Sequence, residues 1–133
     1  MSTHDLVVAL PTDDRTRAHA FARELGFDTP GELAEDGVPE PLRVVVNERA
    51  SVMYVPMGGF GWITAGREVA ARGTVECLIS LGVNSHAGVD DLVFRAAAAG
   101  GAEVTAPRQQ PWGYTGTFAD PDGHLWEVVA ADG

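Results

Sequence analysis

The 133-residue sequence has no lysine, a single cysteine and no apolar run of membrane-spanning length. Without lysine, a Schiff-base lysine is excluded outright. One cysteine, Cys77, cannot close an internal disulfide; its apolar surroundings predict a small buried residue in a strand spanning Val75 to Val83. The N-terminal Met-Ser-Thr-His-Asp has neither the basic nor the hydrophobic region of a secretion signal, so a cytoplasmic location is expected. Positive charge is scarce as well. Nine arginines face 19 acidic residues, for a net charge of −10 and a pI near 4.6. That balance repels phosphate backbones and anionic lipid, which argues against nucleic-acid and membrane partners and would favour a cationic one. Missing too are Gly-x-Ser-x-Gly, a Gly-rich phosphate loop and any Cys–His pair with a third group.

What is present is a regular alternation of short elements. Leu6 to Leu10 reads as a strand closed by Pro11. Asp13 or Asp14 caps a helix that runs to Leu25, with Ala18, Phe21, Ala22 and Leu25 on its core face and Gly26 as its stop. Phe27 resumes an extended segment, and the acidic, Pro/Gly-rich Asp28 to Pro41 reads as a loop or ragged edge. Leu42 to Val46 and Ala50 to Val55 pair around Asn47-Glu48-Arg49. After a connection from Pro56 to Arg72, the order repeats. A strand to Val83 is followed by a helix near Val89 to Ala99, stopped by Gly100-Gly101, and by a strand from Ala102 to Thr105. Next come a polar loop at Arg108 to Trp112 and a hairpin of Tyr114 to Ala119 with His124 to Ala130. The turn Asp120-Pro121-Asp122-Gly123 has proline and glycine where a tight turn wants them. Its Asp-x-Asp-Gly is not a calcium loop, because the rest of that pattern is missing. The helix stops and the final strands (Met53 against Glu127, 74 residues apart) align two βαβββ halves.

The opening LVVALPTDDRTRAHAFARELGF, the helix end AAAAGGAEV and the closing WGYTGTFADPDGHLWEVV together resemble the vicinal oxygen chelate superfamily of glyoxalases, bleomycin resistance proteins and extradiol dioxygenases. The resemblance covers nearly the whole chain. It implies an α+β fold with two βαβββ modules forming a half-open, curved mixed sheet around a cavity. On that reading residues 1–133 are a single domain, with module one at about 4–56, a connection at about 57–73 and module two at about 74–131. A homodimer is implied too, as most members dimerise.

Metal-dependent relatives draw two ligands from each module, one on the first strand and one on the last. Those positions fall here on Val7, Met53, Leu78 (give or take one residue) and Glu127. Three of the four are apolar and offer no N, O or S donor of the expected kind. His4, His19, His86 and His124 fit no register beside Glu127. No metal, cofactor or catalytic residue is therefore expected. Glu127 is left as a counter-charge or general base, or as a relic bonded to its neighbours or to Arg43 or Arg108. Glu76, two residues before Leu78, is expected on the same face. Phe60-Gly61-Trp62 and Trp112-Gly113-Tyr114 read as Gly-punctuated loops whose rings can wall a site for a flat organic molecule. Met53 and Met57 can adapt to a ligand's shape. Tyr54 and Trp126 alternate within strands and read as core.

The resemblance implies, above all, a metal-free drug-binding protein of the bleomycin-resistance kind, holding a glycopeptide, quinone-type or enediyne antibiotic against Trp62, Phe60, Trp112 and Tyr114, with Glu127, Met53, Val7 and Leu78 beside them. The alternatives are a metal-dependent glyoxalase, lyase or dioxygenase, and a housekeeping domain that holds a metabolite.

Overall fold

A computed structural model describes residues 4–131. The chain divides into two compact units, Met1–Val69 and Ala70–Gly133, each with its own sheet. The class is α+β, with one mixed sheet of three strands and one of four.

In the first unit β1 (Leu6–Thr12) runs parallel to β3 (Ala50–Pro56), which pairs antiparallel with β2 (Leu42–Asn47), in the order β1-β3-β2. The strand does not stop at Pro11. As an edge strand it can lose one N–H without breaking the ladder, and pairing continues to Thr12↔Pro56. Asp14 caps α1 (Arg15–Glu24) by accepting the Arg17 N–H, and Gly26 leaves it at φ 89°. Ala18, Phe21, Ala22 and Leu25 are buried, as are Leu42, Val44, Val52 and Tyr54 on the sheet.

The first strand expected after α1 shrinks to a single bridge, Asp28↔Val45. Prolines and glycines between residues 28 and 41 remove the donors and the stiffness a strand needs. That segment is instead tied to α1 by Arg15. Its guanidinium meets Asp36 at 3.1 Å and Glu40 at 3.0 Å, and donates to the carbonyls of Val38 and Pro39, both at 3.1 Å. Arg15 holds the Asp36 carboxyl below its ordinary value.

Phe60-Gly61-Trp62 is not a loop. It lies in a short helix, α2 (Met57–Ile63), despite three glycines in seven residues. The helix closes with two reverse bonds, Gly66 N–H to Gly61 O (2.9 Å) and Ala65 N–H to Trp62 O (3.3 Å). This Schellman closure puts Ala65 at φ 57°, a conformation that glycine normally supplies.

The second unit is a complete βαβββ module: β4 (Leu78–Val83), α3 (His86–Ala98), β5 (Ala102–Gln110), β6 (Gly113–Ala119) and β7 (Leu125–Ala130), with sheet order β4-β7-β6-β5. Ser85 caps α3 by accepting from the Gly88 N–H at 3.0 Å, three residues ahead of the expected helix start. Val89, Val93 and Ala96 of the helix are buried, as are Phe118, Trp126, Val128 and Ala130 of the sheet. Close packing of helix on sheet depends on Gly116. A Cβ there would stand 3.0 Å from Val93 Cγ2 and 3.1 Å from Pro107 Cγ.

Three expectations fail in this unit. Cys77 is exposed and precedes β4, because the partner strand begins at Leu125 and leaves Val75 to Cys77 nothing to pair with. Glu76, exposed in the same stretch, shares no strand face with Leu78. The polar loop at Arg108 to Trp112 is largely strand. As an edge, β5 tolerates Pro107 and two irregularities and stays paired to Gln110↔Gly113, leaving only Pro111 and Trp112 in the turn.

Candidate functional site

Asp120 organises the closing hairpin. Only 2% exposed, it accepts the N–H groups of Asp122 and His124 on Oδ1 (both 3.0 Å) and the indole N–H of Trp126 on Oδ2 (3.2 Å). One carboxylate thus shapes the turn and locks Trp126, whose ring stacks on Phe118 at 5.9 Å. That lock fixes the register of β7 against β6, and with it the position of Glu127.

Pairing through β4, β7 and β6 is regular, so faces follow from parity. Gly116, Phe118, Trp126, Val128 and Ala130 face α3. Thr115, Thr117, Ala119, Leu125, Glu127 and Val129 occupy the opposite face, with Leu78, Ser80 and Gly82 of β4 beside them. Glu127 lies directly opposite Ser80 on one side and Thr117 on the other. The Ser80 hydroxyl donates to Glu127 Oε1 at 2.9 Å, and the hydroxyls of Thr117 and Thr105 are hydrogen-bonded to each other. The result is a polar row across four strands: Ser80, Glu127, Thr117, Thr105. Arg108, paired with Thr115, lies next to this row.

The other expected site residues are placed as follows. Leu78 is opposite Leu125, on the same face as Glu127 and 48% exposed. Trp112 projects from the β5–β6 turn, 63% exposed. Tyr114 is paired with Ala130 and therefore lies on the α3 face, away from Glu127. There it stacks on His86 at 4.2 Å and donates its hydroxyl to Asp90 at 2.7 Å, a bond that raises its pKa above the ordinary phenol value. In the first unit Val7 is opposite Ser51, and Met53 lies between Ala9 and Arg43. By the 74-residue correspondence of Met53 with Glu127, Ala9 takes the place of Ser80 and Arg43 that of Thr117. Phe60 and Trp62 are on α2, and Trp62 is 85% exposed.

A match to the family model of the Glyoxalase/Bleomycin resistance protein/Dioxygenase superfamily extends over residues 6–128. The chain belongs to that superfamily. Solved structures of the superfamily fold agree closely with it. A hypothetical protein, SA1046, from S. aureus superposes with a TM-score of 0.82 at 24% identity, covering 98% of this chain and 95% of its own. TnmS3, an antibiotic binding protein from Streptomyces sp. CB03234, gives 0.67 at 23%, covering 98% of each chain. TioX from Micromonospora sp. ML1 gives 0.66 at 25%, covering 98% of this chain and all of its own. No curated protein matches the sequence.

Superfamily membership raises the question of a divalent ion, and the donors here do not suit one. Among the described residues no group of three or more His, Cys, Asp or Glu comes together. The immediate strand neighbours of Glu127 are hydroxyls, which are weak ligands for Zn, Ni or Fe, and Val7, Met53 and Leu78 bring no donor of the expected kind. Ser80 and Thr117 escaped the sequence reading, which placed the β4 position at Leu78 within one residue. Only the strand register reveals Ser80.

Proposed function

We propose that this superfamily member is a metal-free small-molecule-binding protein that sequesters an antibiotic. The observation that carries the reading is the row Ser80–Glu127–Thr117–Thr105. It puts one carboxylate, flanked by hydroxyls, on the helix-free face of the second sheet. Such a row recognises polar groups of an organic ligand by hydrogen bonding and asks for no ion. Glu127 accepts a bond from a ligand N–H or O–H or receives its cationic group, Leu78 and Val129 supply apolar contact, and the exposed ring of Trp112 supplies stacking surface. Tyr114 is left out of this set, because its ring is engaged with His86 and Asp90. The likeness to TnmS3, an antibiotic binding protein, supports the same reading.

A homodimer without a resident cofactor, working in the cytoplasm, goes with this proposal. The exposed free thiol of Cys77 suits a reducing compartment, and no helix among the described residues is long and apolar enough to cross a membrane. The test is titration of the purified protein with glycopeptide, quinone-type and enediyne antibiotics, read by tryptophan fluorescence. Trp126 is buried against Asp120, so quenching by a ligand on this face should come from Trp112 and should diminish in Trp112→Phe. Failure of every compound to quench would remove the proposal's support.

A further inference from the structure

We propose that the ligand held on the helix-free face of the second sheet carries an anionic group, which Arg108 receives, besides the donor that Glu127 accepts. The inference rests on the binding role assigned above to that face and names the chemical class of its ligand. The nine arginines differ in how they are paired. Arg15, Arg17, Arg23, Arg49 and Arg95 each form an ion pair with a nearby Asp or Glu, and Arg72 donates to the Pro121 carbonyl at 2.8 Å. In a chain of net charge −10, acidic partners are plentiful. Arg108 nevertheless pairs with no acidic group among the described residues, and neither do Arg43 and Arg67.

Position separates Arg108 from an ordinary surface arginine. It is paired with Thr115, which shares the helix-free face with Thr117 and Glu127. Its neighbours along β5 are Pro107 and Gln109, both uncharged. Glu127 is two strands across and two residues along, about 12 Å by strand geometry. Among the described residues no ion pair joins the two, and the span matches the length of a fused bicyclic or tricyclic organic molecule. The intervening hydroxyls of Thr115 and Thr117 can bond polar atoms along the ligand. An anionic oxygen pair suits the planar guanidinium, which offers parallel donors in a fork. The protein's overall negative charge does not forbid this, because charges beyond about 8 Å are largely screened at physiological salt.

The test compares two dyes of one skeleton. The probe 6-anilinonaphthalene-2-sulfonate has an aromatic body with an N–H donor and a sulfonate at opposite ends; N-phenyl-2-naphthylamine lacks only the sulfonate. Fluorescence titration of the full chain should show the sulfonate dye binding about tenfold tighter, the size of one charge-assisted hydrogen bond. Arg108→Gln should erase that difference and leave the neutral dye's affinity unchanged, Arg108→Lys should restore part of it, and thermal melts should show all variants folded. Equal affinity of the two dyes, or a preference that survives Arg108→Gln, overturns the anionic assignment and leaves the binding role standing. Binding of neither dye overturns both.

Discussion

Replacing Asp120 should unfold the closing hairpin first, and the cost can be worked from three of its side-chain bonds. In Asp120→Ala the N–H groups of Asp122 and His124 lose a charged acceptor, and the buried Trp126 indole N–H is stranded. A bond to a charged group is worth about 1.5–3 kcal/mol, and a stranded buried donor costs about 1–3 kcal/mol. Water can reach part of the turn, so the three losses do not sum in full, and about 3–5 kcal/mol is expected. For a chain of this length the melting temperature should fall by on the order of 10–20 °C. Asp120→Asn is the sharper probe. Its Oδ1 can still serve the two backbone donors, but its amide nitrogen would then face the indole N–H, donor against donor. A loss of about 1–3 kcal/mol should follow, smaller than for alanine but clear. Urea and thermal melts followed by near-UV circular dichroism of Trp126 measure both. If Asp120→Asn were as stable as the parent, or Asp120→Ala cost under about 1 kcal/mol, the hairpin would not depend on this carboxylate.

Three further outcomes follow from local geometry. Gly116→Ala should destabilise by about 1–3 kcal/mol in urea melts, because its new methyl group meets Val93 and Pro107 on a packed face; a neutral result would mean that α3 can shift freely. Ala65→Gly should stabilise the protein by about 0.5–1 kcal/mol, since the relief of a left-handed alanine outweighs the added freedom of glycine in the unfolded chain; a loss in melting temperature would refute the Schellman closure of α2. The pH response of the Asp36–Arg15 pair has a fixed sign. The Asp36 value is lowered in the fold, so its contribution is present above the ordinary 3.8 and is lost as pH falls through the lower native value. Arg15→Ala should weaken the protein at neutral pH and flatten stability against pH just below 3.8; an unchanged acid limb would contradict that assignment.

The sequence exposed those features whose causes are local. The Asp cap and Gly stop of α1, and the Asp-Pro-Asp-Gly turn before β7, depend on residues within a few positions of one another, and pattern reading found them. It missed features decided by pairing partners. Cys77 sits in an apolar run, but β7 starts too late to take it into the sheet. The loop expected at Arg108 is strand because β6 is long enough to hold it. Three glycines concealed α2, whose closure depends on bonds at its far end. The candidate site divided in the same way. Glu127 was visible from the closing motif, whereas Ser80 and Thr117 emerge only once two strands are laid beside β7. Tyr114 looked like a wall of the same site, yet the register turns it toward α3, a parity that one strand alone does not disclose.

On the proposed function, Glu127 and its hydroxyl neighbours serve an organic ligand. Isothermal titration of the purified protein with the three antibiotic classes, run beside elemental analysis of the same sample, tests it most directly. Saturable binding of at least one class by metal-free protein is expected, weakened about tenfold or more by Glu127→Ala. Stoichiometric Zn, Ni, Fe or Mn that is lost with Glu127→Ala, together with no antibiotic binding, would contradict it.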